Sequence, residues 1–226
     1  MEELARRFYL SFIAQDRWKF FLEGLGMTLL LTVASFIVGT LFGAALCALK
    51  TSRSRFVKKV TNAFVSFLVQ LPTLVLLMLF VYIIFAQTSL SITIVVLIGL
   101  TLKAGAYLSD IFYTAVTAVN SGETEAAYTL GLSRMQVFFN ITLPQAITTA
   151  LPVYKNQFVI TLQETSIVGY LAIMDLTRAS EIVTSRTYDA LFGLTLVSIM
   201  YLLVGYLGNL LLNLLGKRKH LGGESK

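Results

Sequence analysis

Five long apolar runs alternate with short polar segments along the chain, and their lengths predict its architecture. The runs cover about residues 20–49, 60–85, 92–119, 152–174 and 191–215. Each run reaches or exceeds the roughly 20 residues that an α-helix needs to cross the hydrocarbon core of a bilayer. The pattern therefore predicts an all-α membrane protein with five transmembrane helices. Within the first run, Gly39 and Gly43 have the spacing of a close-packing motif between helices.

The composition supports membrane insertion and argues against several kinds of chemistry. Of 226 residues, 56% are apolar and 13% are charged, which is unusual for a soluble domain of this length. The only cysteine, Cys47, lies in an apolar run, and the only histidine, His220, lies near the end of the chain. We therefore expect no disulfide framework, no metal site and little scope for histidine-based catalysis. The first twenty residues lack the apolar core of a cleavable signal peptide.

Positive charges at the ends of the apolar runs predict the orientation in the membrane. Five basic residues and no acidic residue lie between positions 50 and 59: Lys50, Arg53, Arg55, Lys58 and Lys59. Loops this rich in Lys and Arg stay on the cytoplasmic side. Lys217, Arg218 and Lys219 come directly after the fifth run, whereas residues 1–23 carry no net charge. Charge and span number both place the N-terminus outside and the C-terminus inside. The net charge of +6 then reflects topology, so we expect no nucleic-acid partner.

The two ends of the chain differ from the apolar middle. Residues 1–19 mix charges with spaced aromatic side chains, which is typical of an amphipathic interfacial segment. Residues 20–216 are expected to form a single transmembrane domain, and residues 217–226 a basic cytoplasmic tail. We also expect the segment from Asp175 to Asp189 to be an outward loop of mixed charge.

Two charged residues lie inside the third run. Lys103 and Asp110 are seven residues apart and therefore share one helix face. Charges at such depth normally face a protein interior or a water-filled cavity. The pair indicates either the wall of a polar pathway or a structural ion pair, or else a lysine that snorkels towards the membrane surface.

A polar cluster lies inside the fourth run and consists of Gln163, Glu164, Thr165 and Ser166. Four adjacent polar side chains cannot all face lipid. We expect them to line a translocation cavity, where a carboxylate would suit an ammonium or guanidinium group. The alternative is a hydrogen-bonded packing cluster between helices.

The polar segment 120–144 separates the third and fourth runs. Asn120 and Glu123 are spaced as a capping box, which predicts the start of a short helix. Gly131 lies where a left-handed residue would close that helix. An ordinary cytoplasmic connector is the alternative.

The second half of this segment carries another helix signal. Ser133 and Gln136 have the spacing of a second capping box. They predict a helix that Pro144 is expected to interrupt.

The same segment resembles the loop signature of permease subunits of ABC importers. The fixed positions of a Glu-Ala-Ala, Gly and Ile-x-Leu-Pro pattern carry the resemblance: Glu125, Ala126, Ala127, Gly131, Ile141, Leu143 and Pro144. Further similarity to the amino-acid branch of that family lies at residues 106–111, 143–146, 156–158, 163–166 and 175–179. The chain departs from the family pattern at Gln163, which replaces a lysine, and at Gln70–Thr73, which replaces an Arg-Gly-Thr-Pro-like run.

The resemblance implies a type I importer permease in a bacterial cytoplasmic membrane. Such a subunit pairs with a second permease copy or homologue, an ATP-binding cassette subunit and an extracellular or periplasmic solute-binding protein. The loop would dock on the ATP-binding subunit through Glu123, Glu125, Ala126, Ala127, Gly131, Leu143 and Pro144. ATP and magnesium would belong to that subunit, because this chain has no Gly-rich phosphate loop. No cofactor or catalytic residue is expected here.

The resemblance also implies an amino-acid cargo, polar or basic, such as glutamine or arginine. Its contacts are expected at Lys103, Asp110 and the cluster 163–166. Two other classes of protein stay open at this point. A secondary transporter or channel would show inverted repeats, and none is convincing here. A non-transporting membrane scaffold that recruits an ATPase would leave the polar residues within the spans unexplained.

Overall fold

The computed structural model describes residues 2–220, and this part of the chain is helical with short connections and no strand. Its α-helices are α1 (Glu2–Phe8), α2 (Trp18–Lys50), α3 (Arg55–Gln70), α4 (Thr73–Leu79), α5 (Ile92–Thr117), α6 (Ser121–Thr129), α7 (Arg134–Val137), α8 (Leu143–Glu164), α9 (Leu176–Thr187) and α10 (Ala190–His220). Short π-helical segments cover Tyr9–Ile13, Phe80–Ile84 and Phe138–Thr142, and 3₁₀ segments cover Ala14–Asp16 and Thr165–Leu171. The predicted all-α class is confirmed.

Three of the predicted spans are single unbroken helices. Helices α2, α5 and α10 contain 33, 26 and 31 residues. Their apolar stretches are long enough to cross a membrane. Two bent helix pairs qualify as well if each counts as one span, so the described residues hold between three and five candidate spans.

The second apolar run is a bent pair rather than the single helix expected from the sequence. Helix α3 ends at Gln70, and α4 with its π-helical extension runs from Thr73 to Ile84 at an angle of 109° to it. The bend lies at Pro72, whose ψ of 136° is not helical. Proline also drives the residue before it into an extended conformation, so the helix stops there.

The expectation that Pro144 interrupts its helix is wrong. Val137, Phe138 and Leu143 all have right-handed helical dihedral angles, so α7 passes through a π-helical segment into α8. A proline inside a helix clashes with the carbonyl group four residues before it and donates no hydrogen bond. The wider π-helical segment lies directly before Pro144, where this conflict would otherwise arise.

The segment after Asp175 is a helix rather than the predicted outward loop. Asp175 caps α9, because its Oδ1 accepts a hydrogen bond of 2.8 Å from the backbone N–H of Arg178. Leu176, Ala179 and Val183 form the buried face of this helix at helical spacing. The second bent pair joins the long helical path that ends at Leu171 to α9 at an angle of 49°.

The chain divides into two compact units. The first contains residues up to Ile37, Leu71–Thr101 and the chain from Phe158 onward. It holds one apolar cluster around Leu31, Leu77, Leu100 and Val168, and another around Phe21, Leu176, Val183 and Val197. Because lipid is as apolar as these side chains, close packing rather than removal from water stabilises such clusters in a membrane.

The second unit contains Val38–Gln70 and Leu102–Gln157. Here the predicted close packing at Gly43 is confirmed: a Cβ atom on this residue would lie 2.8 Å from the carbonyl oxygen of Gly105. The backbones of α2 and α5 therefore approach each other at a distance that only glycine permits.

The N-terminal segment packs within the first unit. The rings of Phe12 and Phe21 lie 5.9 Å apart. Gln15 and Asp16 have a φ of 57° each, and the buried Arg17 closes this corner by donating a hydrogen bond of 3.0 Å to Gln15 Oε1. Its interfacial location stays a prediction. At the other end α10 continues to His220, while residues 221–226 of the predicted tail lie outside the described part of the chain.

Candidate functional site

The polar loop begins with the short helix predicted from the sequence. Asn120 caps α6 by accepting a hydrogen bond of 2.9 Å from the backbone N–H of Gly122. The side chain of Glu123 does not complete a capping box. It accepts a hydrogen bond of 2.5 Å from Gln145 Nε2 instead, and so connects α6 to the start of α8.

The end of α6 has the predicted left-handed glycine. Gly131 has a φ of 85°, and its N–H donates to the carbonyl oxygen of Tyr128 at 3.0 Å. The next N–H, of Leu132, donates to the carbonyl oxygen of Ala127 at 3.2 Å. These two bonds form a Schellman motif, which satisfies carbonyl groups at the helix end and reverses the chain.

The second predicted capping box is confirmed. The hydroxyl of Ser133 accepts from the N–H of Gln136 at 3.4 Å, and the side chain of Gln136 accepts from the N–H of Ser133 at 2.8 Å. The loop thus has two capped helices joined by a glycine turn, and its shape follows from local hydrogen bonds. Leu143 and Pro144 begin α8, beyond the π-helical segment.

The three residues of the Glu-Ala-Ala motif do not form one outward face. Glu125 and Ala126 are exposed, whereas Ala127 is 3% exposed and its carbonyl group belongs to the glycine turn. Large apolar side chains are exposed beside the motif instead: Leu130 is 80% exposed and Met135 is 66% exposed. Neither side chain is among the residues predicted from the sequence, although apolar residues within an otherwise polar loop are a usable signal.

The charged residues of α5 lie in different surroundings. Lys103 is buried, and Asp110 is about half exposed. Asp110 forms an ion pair with Lys50, the last residue of α2, which is 4% exposed. Asp110 is therefore part of a structural ion pair, and its partner Lys50 is a residue that the sequence predicts to lie in the basic cytoplasmic loop.

The polar cluster of the fourth run lies where α8 changes into the 3₁₀ segment. Gln163 is exposed, and Glu164 accepts a hydrogen bond of 2.8 Å from the hydroxyl of Thr73, the first residue of α4. Thr165 is buried and Ser166 is partly exposed, and each hydroxyl donates to a backbone carbonyl of its own helical path at 2.7 Å. The four side chains therefore face different surroundings, and Glu164 bonds to a side chain on another helix.

A second polar group in the first unit was missed by the sequence analysis. Asp175 is fully buried and accepts a hydrogen bond of 3.4 Å from the hydroxyl of Tyr201 in α10. Beside it, Thr28 of α2 accepts a hydrogen bond of 3.2 Å from the N–H of Leu176. These contacts hold the start of α9 against two long helices. Asp175 followed by apolar residues at helical spacing is the signal that could have predicted the cap.

The fold and the loop together define a helical membrane protein with several candidate spans and a capped helix pair between two of them. The family of binding-protein-dependent transport system inner membrane components matches residues 35–221. Because this match covers most of the chain, the protein belongs to that family.

Relatives and a solved structure agree with this assignment. The histidine/lysine/arginine/ornithine transport system permease protein HisM of Salmonella typhimurium is 27% identical over 220 residues, covering 91% of this chain and 92% of its own. The probable amino-acid permease protein YxeN of Bacillus subtilis is 32% identical over 159 residues, covering 69% of this chain and 71% of its own. A crystal structure of an amino acid ABC transporter with histidines has a TM-score of 0.81 and 29% identity, covering 92% of this chain and 98% of that one.

Proposed function

We propose that this chain is the permease subunit of an ATP-driven amino-acid importer. It forms the translocation pathway by alternating access and is driven by a separate ATP-binding cassette subunit, which holds ATP and magnesium. A second permease copy or homologue completes the pathway, and a solute-binding protein delivers the cargo. Each bent helix pair counts as one span, so five spans place the N-terminus outside and the C-terminus in the cytoplasm.

The loop between α5 and α8 is the observation that carries this proposal. Two capped helices and a Schellman turn give it a defined shape without support from a partner. At the same time Leu130 and Met135 stay exposed at its surface. A shaped, partly apolar projection on a membrane protein is suited to enter a cleft of another subunit. Glu123, Glu125 and Gly131 are proposed to position this projection.

The orientation can be tested by thiol labelling in sealed vesicles. The natural Cys47 is buried and can be replaced by serine, which leaves a background without cysteine. Leu130→Cys and Tyr188→Cys then introduce single thiols at positions that are 80% and 93% exposed. We expect a membrane-impermeant reagent to label position 130 only from the cytoplasmic side and position 188 only from the outside. Labelling of position 130 from the outside would refute the proposed orientation and the coupling role.

The coupling itself can be tested by co-purification and transport. The permease should retain an ATP-binding subunit through purification, and the ATPase rate of the complex should rise with loaded solute-binding protein. A secondary transporter would import cargo in proteoliposomes without ATP. A scaffold would retain the ATPase but import nothing.

The cargo is proposed to be a polar or basic amino acid, contacted near Glu164. The proposed set of pathway residues also includes Gln163, Thr165, Ser166, Lys103 and Asp110. Asp110 is the weakest candidate among them, because it forms an ion pair with Lys50.

Substitution of Glu164 tests this assignment. Glu164→Gln removes the negative charge but keeps an oxygen that can accept the hydrogen bond from Thr73. We expect weaker uptake of basic cargo with unchanged assembly of the complex, because one charge-assisted hydrogen bond contributes about 1.5–3 kcal/mol. Thr73→Val is the matched control, since it removes the hydrogen bond and keeps the charge. If uptake of every tested amino acid is unchanged in Glu164→Gln, the residue has a packing role.

A further inference from the structure

An open cavity of about 480 Å³ lies between the N-terminal segment and the corner that joins α9 to α10. It is separate from the polar residues proposed for transport. Its volume falls within the roughly 300–1,000 Å³ typical of small-molecule sites. The charges and the buried hydroxyl that line it indicate what it could bind.

The charged lining divides into two parts of opposite sign. Arg7 lies 3.3 Å from a carboxylate oxygen of Glu3 and 3.7 Å from one of Asp189. These three side chains carry a net charge of −1. Arg6 also lines the cavity, and among the described residues no ion pair or hydrogen bond engages its guanidinium group. The cavity therefore presents one negative region and one uncompensated positive group.

A buried hydroxyl lies in the same wall. Ser11 is 1% exposed, and its Oγ has no hydrogen-bond partner in the described part of the chain. A buried polar atom without a partner is costly, so its presence in a cavity wall points to a ligand that supplies one. Ala190 and Leu191, the first residues of the 31-residue helix α10, also line the cavity. Asp189 caps this helix, because its Oδ1 accepts a hydrogen bond of 3.0 Å from the N–H of Phe192.

The rim of the cavity is apolar and aromatic. Leu10, Tyr188 and Leu191 line it and are 42%, 93% and 72% exposed. Exposed tyrosines and leucines beside charged residues are typical of the surface where a membrane protein meets lipid headgroups. The occupant of this cavity should therefore reach it from the membrane surface.

We propose that this cavity binds the headgroup of a zwitterionic phospholipid with a primary ammonium group, as in phosphatidylethanolamine. The phosphate would lie near Arg6 and Ser11, and the ammonium near the negative region formed with Glu3 and Asp189. A simple anion is repelled by that region, and a simple cation is repelled by Arg6. A zwitterion can place its positive group at the negative region and its negative group at Arg6. The site does not depend on the direction or mechanism of transport.

Binding can be measured on the purified complex after removal of native lipid, without ATP or cargo. Short-chain phosphatidylethanolamine is titrated, and the retained lipid is counted by native mass spectrometry. Phosphatidylglycerol, phosphatidylcholine and soluble phosphoethanolamine are titrated in parallel. We expect one phosphatidylethanolamine per permease, bound about tenfold more tightly than the other three, since a lost charge-assisted contact has about this effect.

Three variants locate the site. Arg6→Gln and Ser11→Ala should each weaken retention of phosphatidylethanolamine by about tenfold. Arg178→Gln is the matched control: this exposed arginine on α9 pairs with Glu181 and does not line the cavity, so retention should be unchanged. Equal retention of phosphatidylglycerol, equal binding of soluble phosphoethanolamine, or insensitivity to Arg6→Gln would each overturn the proposal.

Discussion

The turn at Gly131 allows the sharpest test of the loop geometry, because its backbone conformation restricts substitution while the space around it does not. The residue has a φ of 85°, yet a Cβ atom built on it meets no heavy atom within 4 Å. A substituted side chain would therefore be strained only through the backbone. Bulk as such should be irrelevant.

The size of the effect follows from two opposing contributions. The left-handed conformation costs an L-residue about 1–2 kcal/mol relative to glycine. The two hydrogen bonds of the Schellman turn each contribute about 0.5–1.5 kcal/mol. The conformational cost of a substitution therefore offsets much of the free energy that the two hydrogen bonds contribute. It lowers the population of the native turn by a factor of roughly 5–30. Asparagine tolerates positive φ better than other residues and should lose less.

The series Gly131→Asn, Gly131→Ala and Gly131→Gln tests this reasoning, because glutamine adds bulk without a branch at Cβ. Amide exchange at residues 127–132, measured by mass spectrometry, should be fastest in the alanine and glutamine variants, similar in both, and intermediate in the asparagine variant. Transport per ATP hydrolysed should decline in the same order if the turn positions the coupling projection. A glutamine variant much worse than the alanine variant would show that the space around the turn is not open. An alanine variant with normal exchange and normal coupling would refute the positive φ.

Two further predictions concern packing and charge in the second unit. Gly43→Ala should destabilise the protein by about 1–3 kcal/mol, because the new Cβ would overlap backbone atoms. The control Gly26→Ala places its Cβ in open space and should leave the unfolding temperature in detergent unchanged or slightly higher. An equal loss in both variants would contradict the close approach. For the ion pair of Asp110 with Lys50, Asp110→Asn should lower the unfolding temperature more than Lys50→Met, because it leaves the more deeply buried charge alone. The opposite order would show that the ammonium group is well solvated.

The sequence predicted those features that depend on local chemistry. The apolar runs of α2, α5 and α10 need only length and composition. The cap at Ser133 and the turn at Gly131 need only hydrogen bonds within a few residues. Such features were placed correctly without any knowledge of the tertiary fold. The role of the loop residues towards an ATPase remains a prediction.

Two of the three prolines, Pro72 and Pro144, show where local reasoning ends. Pro72 separates two helices bent by 109°, whereas Pro144 lies inside a continuous helical path. The ring imposes the same restriction in both cases. The difference is the π-helical segment before Pro144. The local sequence does not predict where the helix changes to this wider hydrogen-bonding pattern.

Partners of polar side chains within the membrane are the features least accessible to sequence. The sequence shows that Asp110 and Glu164 need partners, since an isolated charge in lipid is costly. It does not show that these partners are Lys50 and Thr73, which lie 60 and 91 residues away.

The position of the Glu164 contact has a structural consequence. Glu164 is the last residue of α8, where the helical path changes into its 3₁₀ segment, and Thr73 is the first residue of α4, beside the bend at Pro72. The hydrogen bond between them therefore connects the break of the first bent pair to the second bent pair. Broken helices expose backbone groups that must be satisfied by protein or by water in a cavity. A polar contact beside such a break can therefore exchange its partner for a polar ligand at lower cost than one between unbroken helices. This makes the region around Glu164, rather than Asp110, the better place to search for cargo.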